Sequence, residues 1–266
     1  MEAALHSAEQ FRRDLLALGL KSGDTLMMHS SFRSLGGIEG GAETVFRVLL
    51  EILGENGTLM LPAFSYSSVN HSHPDFDLVA TPSCVGYLAE YFRTRVPGVI
   101  RSLHATHSCT VRGRLAQELC AGHELDLTPV GPHSPLAKLP DYDGKILILG
   151  SPPSSNTIMH GVEEAANAPY VLDYEHPIRY ILHDGRRQIE QSAFRHYFHR
   201  EDCTYHQRYQ RVIPLLDESE RSEGMVLDAK CYLLSARAVW DKGCQMMRKD
   251  PYYFVDRVEH EPASIT

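Results

Sequence analysis

The chain has 266 residues, enough for one large domain or two small ones with a full core, and 43 % hydrophobic with 23 % charged residues exclude a disordered chain. Twenty-six Lys and Arg against 34 Asp and Glu leave a formal charge of −8, which disfavours nucleic acid as a partner and favours a polycationic small molecule. No run reaches the ~18 apolar residues of a membrane helix, the start Met1-Glu2-Ala3-Ala4-Leu5-His6 carries an acid where a secretory signal carries bases, and six cysteines without a Cys-x-x-Cys point to free thiols, so a soluble, cytoplasmic protein without a membrane partner is expected.

Ser7-Ala8-Glu9-Gln10 reads as a capping box opening a helix with Phe11, Leu15, Leu16 and Leu18 on one side and Gly19 at its end. Residues 24–29 are short and apolar between Gly23 and Ser30-Ser31, a strand; a glycine-rich loop at 36–41 leads into a helix over 42–53. Residues 58–64 repeat the strand signal, with Pro62 leaving the ladder. Periodicity vanishes over 65–82, a loop long enough to expect a functional role. Ser83 is placed to cap a helix to Arg95, and a further helix near 114–120 stops at Gly122. After a polar stretch at 124–140 comes the clearest strand, residues 145–150, apolar on both faces and therefore central. A helix is predicted over 157–167, a hairpin around Asp184-Gly185, a helix over about 204–218, a strand at 226–233 and a helix from Ser235 to Asp250, stopped by Pro251. With no repeat or linker, the economical reading is one α/β domain over residues 1–266, with long active-site loops at about 65–82, 124–140 and 186–203.

Three segments can carry chemistry. Residues 28–37 leave a strand for a helix with serines, Arg33 and glycines, a geometry able to hold an anion, although neither a G-x-G-x-x-G nor a P-loop is present. In Asn156-Thr157-Ile158-Met159-His160-Gly161-Val162-Glu163-Glu164, beyond the central strand, Glu163 and Glu164 share a helix face with His160, and such a carboxylate makes the imidazole a stronger base. Residues 101–108 are rich in hydroxyls and histidine. His71-x-His73, His104-x-x-His107 and His196-x-x-His199 invite a metal reading, but none lies in a ligand frame such as H-E-x-x-H, and no metal is expected. A serine hydrolase is disfavoured because Gly150-Ser151-Pro152-Pro153 lacks the closing glycine of a nucleophile elbow.

Met28-His29-Ser30-Ser31-Phe32-Arg33-Ser34, Gly57-Thr58-Leu59-Met60-Leu61-Pro62, Arg101-Ser102-Leu103-His104, Thr128-Pro129-x-Gly131-x-x-Ser134-Pro135, and Leu149-Gly150 through Asn156-Thr157-x-x-His160-x-x-Glu163 together resemble, in order and spacing, the aminoglycoside 3-N-acetyltransferase family. The resemblance runs over about residues 9–250 and departs from the family's pattern at Ala105, where a proline is usual, and at Ser67-Ser68, where an acid is expected. It implies a three-layer α/β/α arrangement around a mixed central sheet, distinct from the common GNAT acetyltransferase fold. It also implies acetyl-CoA as cosubstrate and the 3-amino group of a 2-deoxystreptamine aminoglycoside as acceptor; a direct ternary-complex transfer by a monomer or homodimer is the expected mode of action. His160 matches the catalytic base, Glu201 its partner acid, Glu163 the motif's acid, and Thr157 is a candidate for the oxyanion. Ser30, Ser31, Phe32, Arg33, Ser34 and Leu35 match the coenzyme A pyrophosphate loop, and Ser102, Leu103, His104 and Ser108 the pantetheine segment. Asp75, Asp77, Glu163 and Asp202 are the acids expected to meet the acceptor's ammonium groups. The alternative reading is an acyl-CoA-dependent N-acyltransferase acting on another amine or amino sugar in a biosynthetic pathway.

Overall fold

The computed structural model describes residues 5–260, and the reading of the chain start at residues 1–4 lies outside them. In chain order the elements are α1 (Ala8–Leu18), β1 (Thr25–Ser30), α2 (Gly41–Leu53), β2 (Thr58–Pro62), β3 (Asp75–Asp77), α3 (Tyr87–Arg95), β4 (Ile100–Arg101), β5 (Cys109–Gly113), α4 (Ala116–Cys120), α5 (Pro135–Lys138) and β6 (Lys145–Leu149). They continue with α6 (Ile158–Ala165), β7 (Ile178–His183), β8 (Gln188–Ala193), β9 (Cys203–Gln207), β10 (Arg221–Val226), β11 (Ala229–Ser235), α7 (Ala236–Lys249) and β12 (Val255–Glu259).

Seven strands form one sheet in the order β10-β11-β6-β1-β2-β5-β4. Its middle, β6-β1-β2, is parallel, and antiparallel strands extend it on both sides. Because side chains alternate along a strand, Leu26 and Met28 of β1 pack with Phe11, Leu15, Val45, Leu49 and Phe92 of α1, α2 and α3. Met27 points the other way, into a core with Leu119, Leu136, Ile158, Val162 and Val239 of α4 to α7. The result is three layers, α/β/α, around a mixed sheet. The same alternation sends His29, two residues after Met27, to the α6 side. Two small sheets, β3-β7-β8 and β9-β12, lie outside the main one; the first covers a separate cluster that includes Val69, Phe76, Leu103 and Tyr180.

Local signals fix several boundaries. Ser7 Oγ accepts the Gln10 N–H at 3.1 Å, and Gly19, at φ 106°, closes α1 by donating to Leu16. Ser235 caps α7 by accepting from Ala238 at 3.3 Å. All six cysteines are free thiols. Among the described residues no helix is long and apolar enough to cross a membrane.

Four expectations are corrected. The stretch 204–218 is not a helix: Thr204 and Tyr205 pair with β12, a strand the sequence did not announce, and a 3₁₀ turn at Tyr209–Leu215 containing Pro214 follows. Thr and Tyr favour an extended backbone once a partner strand is supplied by tertiary structure, and Pro214 would interrupt an α-helix. The strand at 226–233 is the inner part of a hairpin, β10 with β11, whose turn puts Leu227 at φ 52°, without the Asn-Gly or Asp-Gly that advertises such turns. Ser83 does not cap α3. Its N–H donates to Glu90 at 2.8 Å, and the helix starts only after Gly86, at φ 106°. The loop 186–203 contains β8, which pairs with β7 across the Asp184-Gly185 turn.

Candidate active site

The parallel strands β1 and β6 release their chains at Ser30 and Leu149, where open α/β sheets place ligands. The segment after β6 turns at Gly150, at φ 69°, passes Pro152 and Pro153, and enters α6. There Ile158, Met159 and Val162 face the core, and spacing of three puts Glu163 one turn beyond His160.

Glu163 is fully buried and accepts two phenol hydroxyls, Tyr170 at Oε1 (2.9 Å) and Tyr209 at Oε2 (2.8 Å). Tyr209 has a single proton and gives it to Glu163. Its oxygen therefore accepts from Nδ1 of His160, 2.9 Å away. That Nδ1 is also 3.4 Å from Glu163 Oε2. Burial, with the charge of Glu163, raises the Tyr209 phenol well above its ordinary value, so it stays protonated. With its proton on Nδ1, His160 keeps Nε2 as a lone-pair nitrogen. Among the described residues Nε2 has no hydrogen-bond partner, and His160 lines a cavity of about 390 Å³. A buried carboxylate that fixes the tautomer and stands by to balance an imidazolium is the arrangement of a general base.

A second histidine–carboxylate pair lies beside it. His196 Nε2 is 2.7 Å from Glu164 Oε1, which also accepts the Val130 N–H at 2.9 Å. Burial pushes Glu164 up to about 7 and pushes His196 well below the ordinary histidine value, which favours the neutral ring. His107 places Nδ1 2.9 Å from Thr106 Oγ1, and burial likewise holds it neutral. The rings of His107, His160 and His196 have centroids 4.5 to 5.9 Å apart. His29 is pushed down to about 3 by burial and by the neighbouring His160.

The acid beside His160 is thus Glu163, and the expected partner Glu201 is corrected: it is exposed just before β9, its backbone carbonyl near His260. The hairpin β7-β8 lies in the chain between α6 and β9 and separates Glu201 from His160 in sequence. Thr157 lies one turn before His160, and its Oγ1 is buried without a partner among the described residues; both side-chain polar atoms of Asn156 share that condition. Ser30 ends β1. Ser31 opens a short 3₁₀ turn, Phe32–Leu35, its Oγ 2.7 Å from that of Ser34. Arg33 and Ser34 are exposed, whereas Leu35 is fully buried in the α1–α2 core and is corrected from ligand contact to anchor.

The segment 102–108 is corrected in the same way. Ser102 accepts from the Cys109 N–H, Ser108 bridges Arg101 and the Ala63 carbonyl, His104 Nδ1 accepts from the backbone of Thr106 and His107, and Leu103 packs beside Val69 and Phe76. All four side chains are buried, a brace that aims His107 rather than a surface for a ligand. The acceptor-side acids fall elsewhere too. Asp75 meets His183 at 3.2 Å, Asp77 is held below the ordinary carboxylate range by the N–H groups of Ala80 and Val79, and Asp202 meets Arg257 at 3.0 Å. None of them lines the cavity, whose wall beyond the histidines includes Tyr66, Asn70, Tyr180, Tyr197 and Gln207, with Arg195 tied to Asp173 at 3.1 Å. Sequence reasoning missed Tyr209, since a lone tyrosine 49 positions from His160 carries no spacing signal. It noticed His107 and His196, but in the wrong company.

A three-layer α/β protein in which a buried carboxylate, a tyrosine and a histidine meet at the wall of a cavity has the layout of an enzyme site able to carry acid–base chemistry. The family model described as aminoglycoside 3-N-acetyltransferase matches residues 27–248, and the chain belongs to that family. It is 39 % identical over 194 residues to aminoglycoside N(3)-acetyltransferase VII of Streptomyces paromomycinus, a match covering 66 % of this chain and 66 % of that one. It is 30 % identical over 271 residues to aminoglycoside N(3)-acetyltransferase III of a Salmonella species, covering 92 % of each. Among solved structures, AAC-IIIb in binary complex with CoASH superposes with a TM-score of 0.78 at 25 % identity, over 92 % of this chain and 97 % of that one.

Proposed function

We propose that the chain transfers acetyl from acetyl-CoA to the 3-amino group of the 2-deoxystreptamine ring of an aminoglycoside, in a direct ternary complex with His160 as general base. The observation that carries this reading is the chain Glu163–Tyr209–His160, which leaves Nε2 unprotonated in the cavity. The names of the relatives supply the substrate class. On this reading acetyl-CoA lies along the turn after β1, beside a groove of about 320 Å³ whose lining includes Ser34, Gly150, Ser151, Lys230 and Asp228; its hydroxyls, turn amides and ammonium suit a pyrophosphate, and the Asp228 carboxylate, 2.9 Å from His6, is the one acid among the described residues lining it.

The uncharged acceptor amine attacks the thioester carbonyl as its proton passes to His160 Nε2. The new C–N bond forms, the C–S bond breaks, and the proton leaves with the departing thiolate. Glu163 balances the imidazolium while it lasts. Asn156 and Thr157, polar and unpartnered one turn before the base, are the candidates to hold the developing oxyanion. Hydroxyls and amides of Tyr66, Asn70 and Gln207 suit a hydroxyl-rich ring, and aromatic faces suit ammonium groups.

One observation favours the second reading, an N-acyltransferase acting on another amine or amino sugar: among the described residues lining the cavity there is no Asp or Glu. Incubation with acetyl-CoA and a panel of aminoglycosides, monoamino sugars and unrelated amines separates the two, with the acetylated position read by NMR. Acetylation at the 3-amino group of aminoglycosides is the expected result; turnover confined to other amines would reject it in favour of the second reading.

The donor site makes its own prediction. Gly36, at φ 79°, ends the 3₁₀ turn, and a Cβ there would meet the Asp228 carboxylate. Gly36→Ala should raise the KM for acetyl-CoA several-fold, with the acceptor KM nearly unchanged; steady-state kinetics with each substrate varied in turn checks it.

A further inference from the structure

Three histidines from distant parts of the chain meet at the cavity: His107 from the segment before β5, His160 from α6 and His196 from the segment after β8. One ring nitrogen of each lies within 4.8 Å of one from each of the others. In all three rings the opposite nitrogen already has an outer partner. His107 Nδ1 meets Thr106 Oγ1, His160 Nδ1 meets Tyr209, and His196 Nε2 meets the Glu164 carboxylate. The nitrogens left over are Nε2 of His107, Nε2 of His160 and Nδ1 of His196, which have no hydrogen-bond partner among the described residues.

Zinc-binding histidines show this pattern, the second nitrogen held by a hydroxyl, carboxylate or carbonyl that fixes the tautomer and turns the lone pair inward. Three imidazoles with a fourth position open to a cavity suit a tetrahedral, borderline-soft divalent ion. Metal–nitrogen bonds of about 2.1 Å require ligand nitrogens roughly 3.4 Å apart, so the rings need to close by little more than ~1 Å. The sequence hides the trio because its members are 53 and 36 positions apart, whereas the short His-x-x-His pairs that catch the eye each supply one member.

We propose that His107, His160 and His196 form a binding site for a divalent transition metal of the zinc type, and that its occupation inhibits the enzyme. The ion takes the Nε2 lone pair that His160 needs to remove the acceptor's proton, so metal and turnover exclude each other. The inhibition, though not the binding, rests on the reading of His160 as base.

The test uses the full chain, freed of metal with a chelator. Zn²⁺ should bind at one equivalent per chain, and Co²⁺ should show the intense visible absorption of a tetrahedral site. His107→Ala and His196→Ala should each weaken Zn²⁺ binding at least ~100-fold, and Glu164→Gln, which alters the outer partner of His196 rather than a ligand, about 10- to 100-fold. The unaltered protein supplies a readout independent of any variant: Zn²⁺ should shield His107, His160 and His196, but not exposed His71, from diethyl pyrocarbonate, scored residue by residue by mass spectrometry. Absence of stoichiometric binding, or of that shielding, overturns the site. Acetylated product, counted by mass spectrometry because the released thiol itself binds zinc, should vanish at one equivalent of Zn²⁺ and return with chelator. Stoichiometric, shielded binding with undiminished turnover would leave the metal site standing and remove His160 as the base.

Discussion

His160→Ala should lower kcat by roughly 10²-fold or more while leaving the affinity for coenzyme A unchanged within about twofold, because positioned proton transfer contributes about 10²- to 10⁴-fold and the groove proposed for the donor is lined by other residues. Thiol release under saturating substrates measures the first quantity and calorimetric titration with coenzyme A the second. Near-normal turnover would exclude His160 as the base, and loss of coenzyme A binding would mean that the ring supports the donor site instead. Tyr209→Phe gives the contrasting result. It keeps the imidazole and deletes the hydroxyl between Nδ1 and Glu163, so kcat should fall less, about 10-fold, with the affinity for coenzyme A unchanged. Unchanged turnover would show that the hydroxyl plays no part in orienting His160, and loss of coenzyme A binding together with turnover would indicate that Tyr209 matters for packing alone.

How far these assignments were legible in the sequence depends on the distance over which each is decided. The α1 cap at Ser7, the α7 cap at Ser235, the buried strand β6 and the pairing of His160 with an acid three residues on are local facts, written in spacing and capping chemistry. β9 was read as helix because its extended form depends on β12, some fifty residues away, which no local propensity announces. Glu201 lies beyond the hairpin β7-β8, which separates it in sequence from α6, whereas the acid that meets His160 is one helical turn away at Glu163. Tyr209 and the meeting of His107 with His196 arise only when β9, the 102–108 brace and α6 pack together, so single-sequence reasoning had no handle on them. The brace also shows how a functional motif can be structural in part: Ser102 and Ser108 spend their hydroxyls, and His104 its Nδ1, on backbone and neighbouring side chains, and what they deliver to the cavity is the ring of His107.

The same burial that keeps these histidines neutral should make the protein acid-labile well above the range where carboxylates titrate. His29 is held at about 3 and His104 at about 4, both chiefly by burial, against about 6.5 in the unfolded chain. A group whose folded value is depressed leaves the unfolded state binding the extra proton, so stability is full above pH 6.5 and is lost as the pH falls toward 4 and 3. Between pH 8 and pH 5 each of the two removes roughly 2 kcal/mol. Glu164 acts in the opposite sense. Its folded value near 7 lies above the unfolded one, so it adds stability at low pH and loses it as the pH rises through 7, returning about 2 kcal/mol over the same interval. His107, His123 and His196 are depressed as well, so the loss outweighs this return. Urea unfolding at pH 8, 6.5 and 5 should show a steep decline, and His29→Gln should remove roughly 2 kcal/mol of it, because His29 Nε2 has no partner among the described residues to receive a proton. Comparing each protein with itself across pH cancels the constant cost of the substitution. An unchanged decline in the variant would show that His29 accepts its proton without unfolding, and that the α6 side of β1 is wetter than its packing indicates.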